Sequence, residues 1–563
     1  MTPYYLLRWL ILIFLGLLVY AQTFHFDFVF DDYIFIVNNP FIKNFSNIHL
    51  MWQTFPRTRF TGMYSFALNY YFNQLAPQGY HIFNFIVHLC AAWLVWALAG
   101  LLFKIVKIPQ DYAAKELPFI IAVIFLVHPC QTQAITYITQ RFESMATVFY
   151  LATIYAYLRA RLASEIRYKI ILFGLAGLAS VLGIMTKEVG ITVPVMILAL
   201  EWILFPKKDN KKMYLIFFVA GGLLYLIFSQ IVLTGLNVFT KSFVSESHDG
   251  DVLTTGNYFL TQMRVFLTFL RLLILPIHQN LDYDYPASTD LFHPPLTLVG
   301  LGVILGIIFL IIKLRRATPL IAFGLAWVLI TFSINLVPRS NLIFEHKLYL
   351  ISFGFILTLV AVLSRLVSNR GTLLRLLCCI IAVLAVMSFQ RNKVWANELL
   401  LWEDTIKKSP DKARVNANLG RVYGNLGRYD EAVYYLGRSI ALHPDNITYE
   451  DRGIIYGRQG RSLQALEDLN HSIAMDPNYS TTYIKRSWIY QMQHNDEAAL
   501  ADLARAISIE PYFADAYLER GILWASINHN QQALQDFQQV LILDPLNADA
   551  ARYKSYLMKM GQK

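Results

Sequence analysis

Tyr4-Tyr-Leu-Leu-Arg-Trp-Leu-Ile-Leu-Ile-Phe-Leu-Gly-Leu-Leu-Val-Tyr-Ala-Gln22 is a run of nineteen residues with a single charge, close to the roughly 20 that a helix needs to cross a bilayer. No small-residue cleavage site closes it, so it reads as a retained span. Further runs of spanning length occupy about 81–103, 117–135, 137–158, 168–186, 189–205, 213–236, 295–312, 318–337, 346–364 and 373–389, which makes eleven spans in all. The composition agrees. The 563 residues are 56% hydrophobic and only 15% charged, more apolar side chain than a water-facing surface tolerates.

Basic residues gather at alternate connections: Lys104 and Lys107; Arg159, Arg161, Arg167 and Lys169; Lys207, Lys208, Lys211 and Lys212; Lys313, Arg315 and Arg316; Arg365 and Arg370. Such clusters mark cytoplasmic loops. The net charge of +10 therefore reflects membrane topology rather than a nucleic-acid surface. Counting 257–276 as a twelfth span would put the acidic segment Asn280 to Asp290 inside, so that stretch is expected to be a tilted, re-entrant or interfacial helix. The loops 23–80 and 237–294 and everything after about 390 then lie outside. Cys90, Cys130, Cys378 and Cys379 have no metal-ligand spacing.

From Leu400 the composition turns polar and a repeat emerges. Pro410, Pro444, Pro477, Pro511 and Pro545 stand 34, 33, 34 and 34 residues apart, the tetratricopeptide period. Each unit has a small residue where paired helices touch (Gly420, Gly453, Ser487, Gly521), then an aromatic (Tyr423, Tyr456, Tyr490, Trp524), then an Ala opening the second helix (Ala432, Ala465, Ala498, Ala533). The fold class expected is all-α: a polytopic helix bundle over 1–390, a linker helix over 391–408, and an α-solenoid over 409–563 of four helix pairs and a capping helix. A solenoid offers a groove for a protein partner and no nucleophile-base arrangement of its own, so the repeats are assigned to binding; the alternative is that they only stabilise or oligomerise the chain.

Candidate chemistry gathers at the outer ends of the spans. Asp27, Asp31 and Asp32 follow the first span among aromatic residues. An Asp-Asp pair can deprotonate a hydroxyl or hold a divalent cation such as Mg or Mn, and reads equally as a helix cap followed by a first-turn acid. Arg141 and Glu143 interrupt an apolar run after His128-Pro129, and charges at membrane depth cost enough to require a polar cavity or a partner. Lys187 and Glu188 sit in an outer turn, where the positive-inside bias disfavours a lysine. Arg264 and Arg271, seven residues apart on one helix face, suit a phosphate or a lipid headgroup. Asp282 and Asp284 flank Tyr283 in a loop suited to a sugar or to an ordinary turn. Pro338-Arg339-Ser340-Asn341 and Glu345-His346-Lys347-Leu348-Tyr349 concentrate ionisable groups that call for a phosphate or diphosphate counter-charge.

In order along nearly the whole chain these segments resemble the C-type membrane glycosyltransferases, and among them the transmembrane and tetratricopeptide-repeat O-mannosyltransferases with their bacterial relatives. Phe28-Val-Phe-Asp-Asp32 is similar to the family's first acidic motif, and His128-Pro129 with Arg141-Phe-Glu143 to its second. Lys187-Glu188-x-Gly190-x-Thr192 resembles its Lys-Glu-x-Gly-x-Thr turn, Phe344-Glu-His-Lys-Leu-Tyr-Leu350 its Glu-Arg-x-x-Tyr-Leu segment, and Arg391-Asn392 to Trp395 its bridge into the repeats. The resemblance implies a polyprenyl-phosphate sugar donor, an acceptor hydroxyl on a protein or glycan, an inverting transfer with a base from Asp31 or Asp32, and an external active site under the repeats. Arg264, Arg271, Arg339, His346 and Lys347 are the expected donor-phosphate contacts. Asp27, His128, Arg141, Lys187, Glu188, Asp282, Asp284, Glu345 and Tyr349 would line the site, with Glu143 catalytic. The expected setting is the cytoplasmic membrane of a bacterium, with the repeats in the periplasm. The chain departs from animal members in carrying about four repeats, which leaves the sugar and the acceptor open. An oligosaccharide ligase or polymerase, and a non-catalytic membrane scaffold, are the alternatives.

Overall fold

The computed structural model describes residues 3–44, 48–107, 112–205, 245–246, 252–339, 341–545 and 547–560. They form two compact units, one up to Asp404 and one from Thr405. Both are helical, apart from a two-residue antiparallel pairing of Ser245–Glu246 with Val252–Leu253.

In the first unit, seven of the described helices are long and apolar enough to cross a membrane: Pro3–His25, Pro77–Ile105, Ile166–Ile184, Leu296–Leu314, Pro319–Leu336, Glu345–Leu366 and Arg370–Lys393. Lys115–Val127 and Pro129–Thr136 form a further pair, bent by 55°. Proline explains the bend. His128 is pushed to an extended backbone by Pro129, and its ring nitrogen Nδ1 accepts from Cys130 N at 3.2 Å, supplying the partner that the broken helix ladder withholds.

The expected span 137–158 takes the form of the helix Arg141–Leu162, and 189–205 is a 3-10 turn, Glu188–Thr192, followed by the 12-residue helix Val193–Leu204. At 1.5 Å per residue the latter rises about 18 Å, short of a bilayer by itself. The expected span 213–236 and the basic residues from Lys207 to Lys212 lie outside the described residues. The stretch 257–276 forms one amphipathic helix, Thr255–Ile274, capped by the Thr254 hydroxyl on Asn257 N. It is not apolar enough to count with the seven.

Two contacts join a pair of these helices. The helices Pro319–Phe332 and Leu348–Leu366 touch backbone to backbone at Gly324 and Gly354, where a Cβ on either would lie 2.6 Å from the other's carbonyl oxygen. Trp327 donates to Leu350 O across the same seam at 2.9 Å. The segments 331–339 and 345–350 are thereby brought together. At the far end of Arg141–Leu162, Arg161 and Tyr157 both bind the buried Glu201 carboxylate, at 2.9 and 2.8 Å.

In the second unit the described residues form four helix pairs: Ala413–Asn425 with Tyr429–Leu442, Asn446–Arg458 with Ser462–Met475, Ser480–Met492 with Asp496–Ile509, and Ala514–Ser526 with Asn530–Leu543. Ala548–Met560 closes the array. Small residues fall at the helix-helix contacts as the repeat predicts: a Cβ on Gly420 would meet Leu436 at 2.7 Å, and one on Gly521 would meet Phe537 at 2.8 Å. The expected linker divides into the end of Arg370–Lys393 and a second helix, Glu398–Ile406.

Candidate functional site

A charged cleft opens where three turns between helices meet. Glu143 stands in the first turn of Arg141–Leu162. Lys187 is in extended conformation at the start of the 3-10 turn Glu188–Thr192, a turn that folds so tightly on the preceding helix that a Cβ on Gly190 would lie 2.8 Å from Ile184 N. Lys347 ends the 3-10 turn Glu345–Lys347, which leads into Leu348–Leu366. With Glu188, Val189, Thr331, Ile334, Arg339 and Leu350 these residues line about 310 Å³ of space, part of it open to solvent.

Its cations are unequally partnered. Lys187 Nζ lies 2.5 Å from Glu143 Oε2, with side chains 7% and 4% exposed. Burial pushes the Lys187 ammonium down from its usual range, and Glu143 opposes that shift. Glu188 binds Arg59 at 3.1 Å and Arg339 at 3.7 Å. Burial alone would raise the Glu188 carboxyl, but Arg59, Arg339 and Lys187 together outweigh it and hold it at about 2. Lys347 is buried, and its Nζ has no hydrogen-bond partner. Among the described residues, four basic side chains, Arg59, Lys187, Arg339 and Lys347, thus face two carboxylates, Glu143 and Glu188. The His346 imidazole lies among the same cations, its Nδ1 likewise without a hydrogen bond. An anion in this cleft would meet basic groups on three turns.

The acidic loop is pinned to the turn Ile138–Gln140, which precedes the helix that carries Glu143. Asp32 is fully buried, its Oδ1 accepting from Thr139 N at 2.8 Å and its Oδ2 from Val29 N at 3.1 Å. Burial drives its carboxyl up to about 7 despite those two amides. Asp31 is half-buried, and its backbone N–H donates to Tyr137 Oη at 3.1 Å. Asp27 is exposed, with its N–H on Ala396 O. Both Asp32 oxygens are engaged by backbone, and among the described residues no three His, Cys, Asp or Glu side chains group to hold a metal. This donor set fits a divalent cation poorly.

Several expected residues are committed elsewhere. Arg141 is fully buried and donates to Asn84 Oδ1, to Ser65 and to Tyr80 O, tying the helices Phe60–Asn73 and Pro77–Ile105 together. Because Cys130 N donates to His128 Nδ1, the other ring nitrogen carries the proton and donates to Leu273 O at 3.1 Å. Glu345 receives Gln279 Nε2, Asn280 N and Tyr283 Oη at 2.9, 2.5 and 2.5 Å, and so fastens the loop holding the buried Asp282 and exposed Asp284. Arg264 donates to Pro286 O and Ser288 Oγ, Arg271 to Ile277 O, and Tyr349 Oη lies 2.7 Å from His88 Nδ1. The cleft therefore gathers Glu143, Lys187, Glu188, Arg339 and Lys347 from the expected set. Arg59 is the member that sequence reading missed. Its signal was present in Arg57-Thr-Arg59, basic residues in the loop 23–80 that the charge pattern puts outside in expectation, the same breach of the positive-inside bias that marked Lys187.

A tetratricopeptide repeat model matches residues 413–446. The Caenorhabditis elegans protein O-mannosyl-transferase F38B6.6 is 26% identical over 464 residues, covering 77% of this chain and 62% of its own length. The mouse protein O-mannosyl-transferase TMTC3 is 24% identical over 475 residues, covering 75% of this chain and 49% of its own. The crystal structure of MamA aligns with 27% of this chain and 82% of its own at 21% identity and a TM-score of 0.24. The chain is a multi-pass membrane protein carrying tetratricopeptide repeats, similar over about three quarters of its length to protein O-mannosyl-transferases, of which it spans between about half and 62%.

Proposed function

We propose that the protein is an integral membrane glycosyltransferase that moves a hexose from a polyprenyl-phosphate carrier to a hydroxyl of a protein acceptor on the external face, in a bacterium the periplasmic side of the cytoplasmic membrane. One observation carries the reading: among the described residues the buried Lys347 Nζ has no hydrogen-bond partner, and it faces a cleft where basic side chains outnumber carboxylates by four to two. A sugar phosphodiester carries one negative charge, and the departing polyprenyl phosphate carries a second. A cleft richer in basic side chains than in carboxylates therefore favours the departing state over the bound donor, which is the direction catalysis requires.

Asp31 takes the acceptor hydroxyl proton, and the oxygen bonds to the anomeric carbon as that carbon's bond to the phosphate oxygen breaks, inverting its configuration. Lys347, Lys187 and Arg339 receive the charge that develops on the phosphate. Asp32, held by two backbone amides, keeps the loop in place. The tetratricopeptide repeats supply a binding surface for the acceptor chain.

The test is transfer by the purified protein in detergent from a labelled polyprenyl-phosphate hexose to peptides rich in Ser and Thr. Asp31→Asn and Lys347→Met should each abolish it. Full transfer by either variant overturns the corresponding role. Activity confined to lipid-linked oligosaccharides would identify a ligase, and a phenotype that depends on the repeats but is indifferent to both substitutions would identify a scaffold.

A further inference from the structure

Phe30, the residue before Asp31, has φ of +51°, the left-handed region. A bulky L-residue there is strained and persists only where its surroundings fix it. The fixing contacts come from the segment after the last span. Phe30 N donates to Glu398 Oε1 at 3.0 Å. The Phe30 ring meets Trp402 edge-on at 5.2 Å and lies 6.4 Å from Tyr137. Tyr137 stacks on Trp395 at 5.3 Å, and its hydroxyl accepts from Asp31 N. Asp27 N completes the attachment on Ala396 O.

From this geometry we infer that Glu398 is a positioning residue for Asp31: its carboxylate holds the Phe30 amide in the left-handed turn that aims the neighbouring acid. The inference rests on Asp31 being the base. A first-turn acid stabilises its own helix wherever its side chain points, so that ordinary role would not need the 3.0 Å contact to Phe30. The need arises from the strained turn, because the Phe30 N–H would otherwise lack an acceptor within the loop. Tyr137, Trp395 and Trp402 prevent the aromatic ring from swinging out, Phe30 O accepts from Tyr33 N at 3.1 Å, and Glu398 supplies the acceptor for the Phe30 N–H. Glu398 touches no reacting atom in this scheme. Its effect on transfer is exerted through the backbone of the residue preceding the base.

The test uses the full-length protein in detergent, with steady-state transfer and amide hydrogen exchange over 27–33 as readouts. Glu398→Leu is expected to lower kcat about 10- to 100-fold with KM for the donor unchanged, the effect of a misplaced base, and to speed exchange in the loop. Glu398→Gln keeps an oxygen able to accept from Phe30 and should recover most of the loss. Introducing Phe30→Gly into the Glu398→Leu background should also recover part of it, because glycine adopts positive φ without strain. Unchanged kcat in Glu398→Leu, or equal losses in Glu398→Leu and Glu398→Gln, would overturn the inference. If Glu398→Leu does not fold, the same decision is made by Phe30→Gly with Glu398→Gln, whose losses should be less than additive. Full transfer by Asp31→Asn would instead overturn the underlying reading and leave the loop-exchange result to stand by itself.

Discussion

Lys187 and Glu143 form an ion pair at 2.5 Å whose side chains are both more than nine-tenths buried. Removing one partner leaves an uncompensated buried charge, so Lys187→Met should destabilise the protein by about 3–5 kcal/mol. The double variant Lys187→Met with Glu143→Gln should recover much of this. Thermal unfolding of the four proteins in detergent measures the coupling. Strict additivity would mean that the two groups do not depend on one another.

Lys347 should behave in the opposite way. An ammonium that is buried without a hydrogen bond opposes folding, so Lys347→Met is expected to leave the melting temperature unchanged or raise it while transfer falls by about 10²-fold or more. Soluble short-chain prenyl phosphate should raise the melting temperature of the parent protein and not of Lys347→Met. Loss of stability alongside activity would reassign Lys347 to the scaffold.

The helices that could be read from sequence were those whose signal is periodic or long. The repeat period located the four helix pairs, and the apolar runs located the membrane helices, because burial of an apolar face or a whole cylinder leaves its mark residue by residue. Partnership between distant side chains leaves no such mark. Arg141 and Lys187 look alike in sequence, each an ion in an apolar setting. The structure binds Arg141 into a joint between helices through Asn84, Ser65 and Tyr80, and sets Lys187 beside Glu143 in the cleft. Arg264 and Arg271 share a helix face as their spacing implies, yet donate to carbonyls of the following loop. Phe30 at positive φ could not be anticipated, since no glycine or asparagine flags the turn.

Asp32 gives the folded protein a definite pH dependence. Its folded carboxyl titrates at about 7 against an ordinary value of 3.8. The folded state therefore holds a proton that the unfolded chain has released between those values, and stability falls as pH rises through that window. The contribution is fully present below about pH 4 and is lost as pH passes 7, an upper limit of roughly 4 kcal/mol. The melting temperature should decline from pH 5 to 8 in the parent protein. Asp32→Asn should flatten that decline while costing stability at pH 5, because its amide N–H₂ replaces one acceptor facing a backbone N–H. An unchanged pH profile would show that Asp32 does not titrate in this range.

The repeats carry a ladder that the small-residue pattern did not reveal. Arg452 to Asp468, Arg486 to Asp502 and Arg520 to Asp536 each join the two helices of a pair through two hydrogen bonds of 2.6 to 2.8 Å. The first pair has Leu419 and Tyr435 at the corresponding positions and no such rung. Hydrogen bonds to charged groups contribute about 1.5–3 kcal/mol, and these aspartates are buried enough to keep much of that. Asp502→Asn should therefore lower the stability of the repeat array by about 1–3 kcal/mol. Because repeats interact mainly with their neighbours, Asp468→Asn and Asp536→Asn should add to it almost linearly. Urea unfolding of the full-length protein, followed by Trp488 and Trp524 fluorescence, measures the effect. A loss confined to Asp502→Asn, with its two counterparts silent, would mean that the rungs are not equivalent and that the ladder is not a repeated stabilising element.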